Sequence, residues 1–205
     1  MNDKKNRIKM ITTTAILAAV STVLMFLDTP LPFMPSFIKF DISDMPALLA
    51  SFAMGPVSGV AVALIKNAVN LINTMTGGVG ELSNFLLTCF FVVPAGLIYK
   101  KKRTFSGAVI GAAVGSAAMA LLSLPSNYFI VYPIYTKIIP MENIIGMYKA
   151  INPAVETLWD ALIWFNLPFT FGKAVVNTVI VFLIYKRLSN LLKSFGNDKK
   201  TEKKS

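Results

Sequence analysis

Two lysines stand inside apolar runs, Lys66 and Lys173, and their neighbours decide what chemistry the chain can host. Lys66-Asn67 is followed by Asn70 and Asn73, which sets an ammonium and amides along one side of a helix. Such a stripe faces protein or water rather than lipid, either as a hydrogen-bond network between helices or as the lining of a ligand site. Lys173 closes the run Leu167-Pro168-Phe169-Thr170-Phe171-Gly172-Lys173, with Thr170 one turn earlier on the same face. No acidic residue neighbours it in sequence, so its ammonium needs an acceptor from elsewhere, and ligand contact is the favoured role. The amide of Asn127 offers a donor and an acceptor to the edge of a planar heterocycle. Around it Tyr128, Tyr132 and Tyr135 read as an interfacial aromatic belt, and Trp159 and Trp164 as interface anchors or packing residues. Asp41 and Asp44 lie three apart in a loop, where capping suits them better than acid/base catalysis; Asp44, directly before Met45-Pro46, fits an N-cap.

Other chemistries are excluded by what is missing. Histidine is absent and Cys89 is the only cysteine, which removes disulfide frameworks, Cys/His zinc sites and histidine-based triads. Cys89 sits in an apolar run and reads as a small buried hydrophobe. Gly172-Lys173 is followed by Ala174 and lacks the upstream glycine of a phosphate loop, and Gly77-Gly78-Val79-Gly80-Glu81 reads as a hairpin between helices. The chain therefore has no ATPase machinery of its own and no intrinsic cofactor is expected.

These residues need a membrane to hold them. Hydrophobic residues are 55% of the 205 and charged ones 15%, too apolar for a soluble surface. The +10 formal charge does not point to nucleic acid, because fifteen of the twenty basic residues fall in three clusters: Lys4 to Lys9, Lys100 to Arg103, and Lys186 to Lys204. Each cluster abuts an apolar run, as positive-inside signals do, while Asp28, Asp41, Asp44, Glu81, Glu142, Glu156 and Asp160 fall on the opposite side. About 20 apolar residues span the hydrocarbon. Met10 to Leu27, Leu82 to Tyr99, Gly107 to about Tyr132, and Trp159 to Tyr185 qualify, and the first is retained rather than cleaved as a signal. The stretch Met45 to Met75 must cross an even number of times to match the charges, and Gly55-Pro56 breaks it into two short helices, about 45 to 55 and 57 to 75. The expected architecture is all-α and integral to the membrane: six transmembrane helices, both termini cytoplasmic. A basic amino terminus (1–9) and a basic tail (194–205) flank a membrane domain (10–193).

The first outside loop, from Asp28 to Pro46, is rich in proline and carries Phe33, Met34, Phe37 and Phe40, so it is expected to fold down as a cap. Gly107, Gly111 and Gly115 form a small-residue stripe suited to internal helix packing. Ala15 and Ala19, four apart on the first helix, make a flat face that suits either internal packing or a partner protein.

Taken in order, Phe37-Ile-Lys-Phe-Asp-Ile-Ser-Asp-Met-Pro-Ala-Leu-Leu49, Gly55-Pro56, Ile65-Lys66-Asn67, Asn84-Phe85, Ser126-Asn127-Tyr128-Phe129 and Leu167 to Lys173 resemble a known family. It is the riboflavin-specific substrate-binding (S) component of energy-coupling-factor (ECF) vitamin transporters, matched from about Lys9 to Lys193. The resemblance implies a non-enzymatic protein of the bacterial cell membrane. It would capture riboflavin from outside and deliver it after joining a transmembrane coupling protein and two ATPase subunits, which use the ATP. It implies that Asn127 and Lys173 meet the polar edge of the isoalloxazine ring, and that Phe37, Lys39, Phe40 and Asp41 cover the ligand and meet its ribityl chain. Lys66, Asn67 and Asn84 become candidate lining residues, and Ala15 and Ala19 match the pattern that docks on the coupling subunit. Thr170 stands where the pattern has asparagine, so one ring contact is shorter, water-mediated or lost; Glu81 also departs from it. FMN or another vitamin, or a membrane-embedded enzyme or accessory subunit using Lys66, Asp41 and Asp44, are the alternatives.

Overall fold

A computed structural model of the chain describes residues 2–202, with side chains from 4 to 184. The basic cluster Lys186 to Lys204 and the tail 194–205 lie outside the described side chains.

Apolar runs of membrane length become helices, and the breakers between them become corners. Helix α1 (Asn2–Phe26) absorbs the basic amino terminus into its first turns. It leads into a loop whose ends pair as β1 (Thr29–Pro30) and β2 (Lys39–Phe40), antiparallel with Thr29 opposite Phe40. Then follow α2 (Asp44–Met54) and α3 (Pro56–Asn70). The break between them is where the dipeptide requires it: Gly55 takes φ 106°, a left-handed value that favours glycine, and Pro56 starts α3 where its missing N–H costs nothing. A 3-10 turn (Leu71–Asn73) and a Gly77-Gly78 turn lead to α4 (Val79–Lys101) and α5 (Phe105–Ser126).

From there the chain departs from regular α geometry twice. A π-helical turn (Asn127–Val131) joins α5 to α6 (Tyr132–Tyr135), and a second (Leu162–Asn166) joins α8 (Leu158–Ala161) to α9 (Leu167–Glu202). In each, a backbone N–H reaches five residues back, Tyr132 to Asn127 and Leu167 to Leu162. A proline stands two residues past each turn, Pro133 and Pro168. Lacking an N–H and crowding the carbonyl four residues earlier, each proline disfavours tight α winding just before it, and the widened turn relieves the crowding. Between the two lies α7 (Met141–Lys149), a short amphipathic helix that hydropathy alone does not single out.

Among the described residues, five helices are long and apolar enough to cross a membrane: Lys4–Phe26, Pro56–Asn73, Val79–Lys101, Phe105–Tyr135 and Leu158–Ile184. The expected sixth, α2, is apolar but has only 11 residues. At about 1.5 Å per residue it is about half the length of the hydrocarbon core. It is tolerable because protein rather than lipid surrounds it: ten of those 11 residues are buried.

Helix packing in lipid rests on close contact rather than on water exclusion, and glycines supply the closeness. A Cβ at Gly111 would come 2.7 Å from the Ala95 carbonyl oxygen, and one at Gly115 2.4 Å from that of Phe91. The stripe on α5 is thus the seat of α4. Gly107 differs, since its Cβ would meet the Lys102 carbonyl in the turn preceding its own helix. Ala15 and Ala19 face outward, while Ala18 between them is buried in the core. The outward face of α1 is therefore not used in internal packing.

Candidate ligand site

The end of the bundle that carries the β1–β2 loop is hollow. A cavity of about 120 Å³ opens there, and a second cleft of about 350 Å³ adjoins it. Helix α4 supplies Gly80, Ser83, Asn84 and Leu87 at helical spacing, α5 and the turn after it supply Met119, Asn127 and Val131, α6 supplies Tyr132 and Tyr135, and α9 with the turn before it supplies Asn166, Phe169, Thr170 and Lys173. Phe37, Ile38 and Lys39 cover it.

The loop is a lid built as expected, from prolines and aromatics. The Phe37 ring packs 5.6 Å from Tyr135 and 6.0 Å from Tyr148, and Phe40 stands edge-on to Phe169 at 6.4 Å. Met34 is buried, and Phe33 is exposed. Lys39 pairs with Asp28 at 3.1 Å and ties the hairpin to the end of α1.

Beneath the lid runs a chain of buried charge. The Lys173 ammonium donates to Asp41 Oδ2 at 2.8 Å and lies 3.6 Å from Asp44 Oδ2. Asp44 Oδ1 accepts from Lys66 Nζ at 2.5 Å and from Thr88 at 2.6 Å. Ser43 links the two halves: its hydroxyl donates to Asp41 and accepts from Lys66 at 2.7 Å. All four charged groups are buried. A buried ion costs several kcal/mol in desolvation unless paired, and here two cations meet two anions. The acceptor that Lys173 lacks in sequence is thus supplied across the fold. Asp44 is not the N-cap of α2: Ser43 holds that position, and the Asp44 carboxylate points into the charge cluster instead.

Six of the expected lining residues come together in the main cavity: Phe37, Lys39, Asn84, Asn127, Thr170 and Lys173. Asp41 borders the adjoining cleft, and Phe40 borders an apolar groove on the far side of Phe169. Lys66 and Asn67 border neither cavity nor cleft; the Lys66 ammonium is spent on Asp44 and Ser43, and the Asn67 amide donates to the Ala63 carbonyl at 2.8 Å. Asn70 and Asn73, further along that stripe, do border the cleft. Glu81 closes the turn expected to be a simple hairpin, accepting from Asn70 at 3.0 Å, Thr74 at 3.0 Å and Thr76 at 3.2 Å.

Two tyrosines of the expected aromatic belt are not at the interface. Tyr132 and Tyr135 are buried in the cavity wall, whereas Tyr128, Phe129, Trp159 and Trp164 remain on the exterior. The sequence reading also missed Asn166. Its signal was available, since 166, 170 and 173 share one face of a helix, but an asparagine after Trp164-Phe165 reads as the end of an aromatic stretch. Among the described residues no group of three or more Asp, Glu, His or Cys side chains is placed to hold a metal.

A partly open cavity with amides, hydroxyls and two ammoniums, Lys39 and Lys173, among apolar and aromatic side chains has the chemistry of a site for a flat, partly polar small molecule. Residues 9–185 match the model of the ECF transporter substrate-specific component. The chain belongs to that family. It is 35% identical to the riboflavin transporter RibU of Staphylococcus aureus (strain TCH60) over 185 residues, 90% of this chain and 93% of the relative. It is 32% identical to the riboflavin transporter FmnP of Bacillus subtilis (strain 168), over 89% of this chain and 93% of that one. Among solved structures, the S component described in "Structure and mechanism of the S component of a bacterial ECF transporter" superposes with a TM-score of 0.72 at 34% identity, covering 91% of this chain and 99% of the other. As an ECF S component the protein is a multi-pass membrane transporter subunit, not an enzyme.

Proposed function

We propose that this S component captures riboflavin in the cavity beneath the β1–β2 lid. The observation that carries the reading is the convergence of Asn127, Thr170 and Lys173 on a cavity lined also by Lys39, Ser83, Asn84 and Asn166 and by Leu87, Met119, Val131 and aromatic rings. That mixture suits an isoalloxazine ring, with apolar faces and a polar edge, and the relatives named as riboflavin transporters support it. Lys173 has three donors and spends them partly on Asp41 and Asp44, which leaves capacity for the ring. The adjoining cleft, lined by Asn70, Asn73, Thr76 and Glu81, is polar enough for a ribityl chain.

Carboxylates also favour riboflavin over its phosphate. Asp28, Asp41 and Glu81 border the cleft, and Lys39 is its single lysine, already paired with Asp28. A phosphomonoester there would face anions. Chemistry at Lys66 is disfavoured because that lysine is wholly buried against Asp44.

In this reading the lid faces the cell exterior and both termini the cytoplasm. The buried α2 and the partly buried α3 make the out-and-back pair required by the charge pattern, giving six passages through the bacterial membrane. Uptake is driven by two ATPases through a transmembrane coupling protein that docks on the outward face of α1 at Ala15 and Ala19.

Purified protein should carry or bind a yellow flavin. Mass spectrometry of the co-purifying ligand, with fluorescence-quenching titrations against riboflavin, FMN, thiamin and biotin, tests this directly. Absence of flavin binding would sink the proposal, and tighter binding of FMN than riboflavin would reassign the substrate.

A further inference from the structure

Glycines inside the membrane-length helices give up a Cβ so that another helix can come close. At Gly59, Gly96, Gly111 and Gly115 the atom nearest to that missing Cβ belongs to a neighbouring helix and stands within 3.0 Å of it. Gly172, in the middle of the span Leu158–Ile184, differs: nothing lies within 4 Å of the place its Cβ would take. A glycine costs a helix about 0.5–1 kcal/mol relative to alanine. Among the described residues no atom uses the space that this one leaves.

The open space belongs to a groove of about 530 Å³ between the last span and the lid. One wall is a stripe of that span at four-residue spacing: Trp164, Pro168, Gly172 and Val176. The other wall includes Phe33, Met34 and Phe40 of the lid. Lys173 is the single charged residue of the lining and is already paired with Asp41; every other side chain there is apolar.

What fills the groove follows from where it opens and from its shape. Trp164 is 65% exposed, Phe33 59% and Val176 40%, so the groove runs into the outward apolar face of a membrane span, which lipid covers. At about 1.5 Å per residue the stripe from Trp164 to Val176 is about 18 Å long, close to one leaflet's half of a hydrocarbon core about 30 Å thick. A helix does not suit it. Close helix contact in lipid uses small residues in register, and this stripe offers one glycine among tryptophan, proline and valine. A hydrocarbon tail is a single file of methylenes and enters a gap one residue wide.

We propose that the groove is a binding site for one hydrocarbon tail of a membrane lipid, seated over Gly172 between the last span and the lid. Phe40 stands edge-on to Phe169 at 6.4 Å, and Phe169 borders the main cavity as well as the groove. The tail therefore packs on the far side of a ring that the ligand cavity also touches, in a groove that needs the lid for one of its walls. Nothing in the groove depends on which vitamin the cavity holds.

Photolabelling tests this on the full chain in liposomes containing a phosphatidylcholine with a diazirine midway along one tail, the adducts being mapped by mass spectrometry. The last span carries its own control, since Phe171, Val175 and Val179 are exposed on it and do not line the groove. Adducts on Phe33, Met34 and the Trp164-to-Val176 stripe should exceed those on the control residues severalfold per residue. Gly172→Leu puts a side chain into the open space without meeting an atom there, and should lower the groove adducts severalfold while leaving the control residues unchanged. Equal labelling of the two faces in the unsubstituted protein, as on any lipid-covered surface, overturns the proposal whether or not that variant folds. So does a groove labelled less than the control face, which means that protein covers it, either a second copy or a partner. Undiminished groove labelling in folded Gly172→Leu overturns it too.

Discussion

Lys173 and Asp41 are 132 residues apart in the chain and 2.8 Å apart in the structure, which makes their ion pair a latch between the last long helix and the lid. Lys173 is also the one member of the charge cluster that borders the main cavity. The cavity wall and the lid thus meet on a single ammonium.

Replacing Lys173 by alanine should weaken flavin binding far more than replacing Lys100, which is exposed at the opposite end of α4. Removing one partner of a buried pair also costs about 3–5 kcal/mol of stability. The double variant Asp41→Asn with Lys173→Met, which leaves Asp44 paired with Lys66, should recover most of the thermal stability lost by Lys173→Met alone without recovering binding. Equal flavin affinity in Lys173→Ala and Lys100→Ala would reject the site.

Tryptophan at Ala15 or Ala19 should abolish reconstituted transport and leave flavin binding intact, because both positions face outward. Tryptophan at the buried Ala18 should instead prevent folding. Loss of binding in the Ala15 or Ala19 variants would move that face back inside the bundle.

Glycine positions separate cleanly by the space around them. Gly115→Ala places a Cβ 2.4 Å from the Phe91 carbonyl and should lower stability by about 1–3 kcal/mol, read as thermal unfolding in detergent. Gly146→Ala, in the middle of α7 with nothing within 4 Å, should raise it by about 0.5–1 kcal/mol. The opposite order would contradict the α4–α5 contact.

Glu81→Gln removes one of three carboxylates bordering the cleft and weakens the hold on Thr74 and Thr76. Competition titrations should show FMN gaining on riboflavin by severalfold in this variant. An unchanged ratio would place the ligand tail elsewhere.

Local signals carried much of this structure. The Gly55-Pro56 corner, the capping loop and the placement of Asn127, Thr170 and Lys173 follow from backbone preference, aromatic content and helical spacing, all properties of neighbouring residues. What stayed illegible depends on who meets whom across the fold. Asp44 looks like a cap because capping is a local rule, and only the approach of Lys66 and Lys173 makes it an ion-pair partner. Tyr132 resembles an interfacial tyrosine until Tyr148 arrives from α7. The π-helical turns escaped for a related reason: a proline inside an apolar helix signals a break, and how the chain relieves it depends on what the widened turn packs against.

The cluster of Asp41, Asp44, Lys66 and Lys173 also has an electrical meaning. Its formal charges sum to zero, and riboflavin adds none. An unpaired charge moved through the whole membrane field would gain or lose about 2.3 kcal/mol per 100 mV. Because these four groups are two cations held with two anions, a uniform field across the membrane exerts no net force on them, loaded or empty. The site can change its depth in the bilayer without being pulled toward either side.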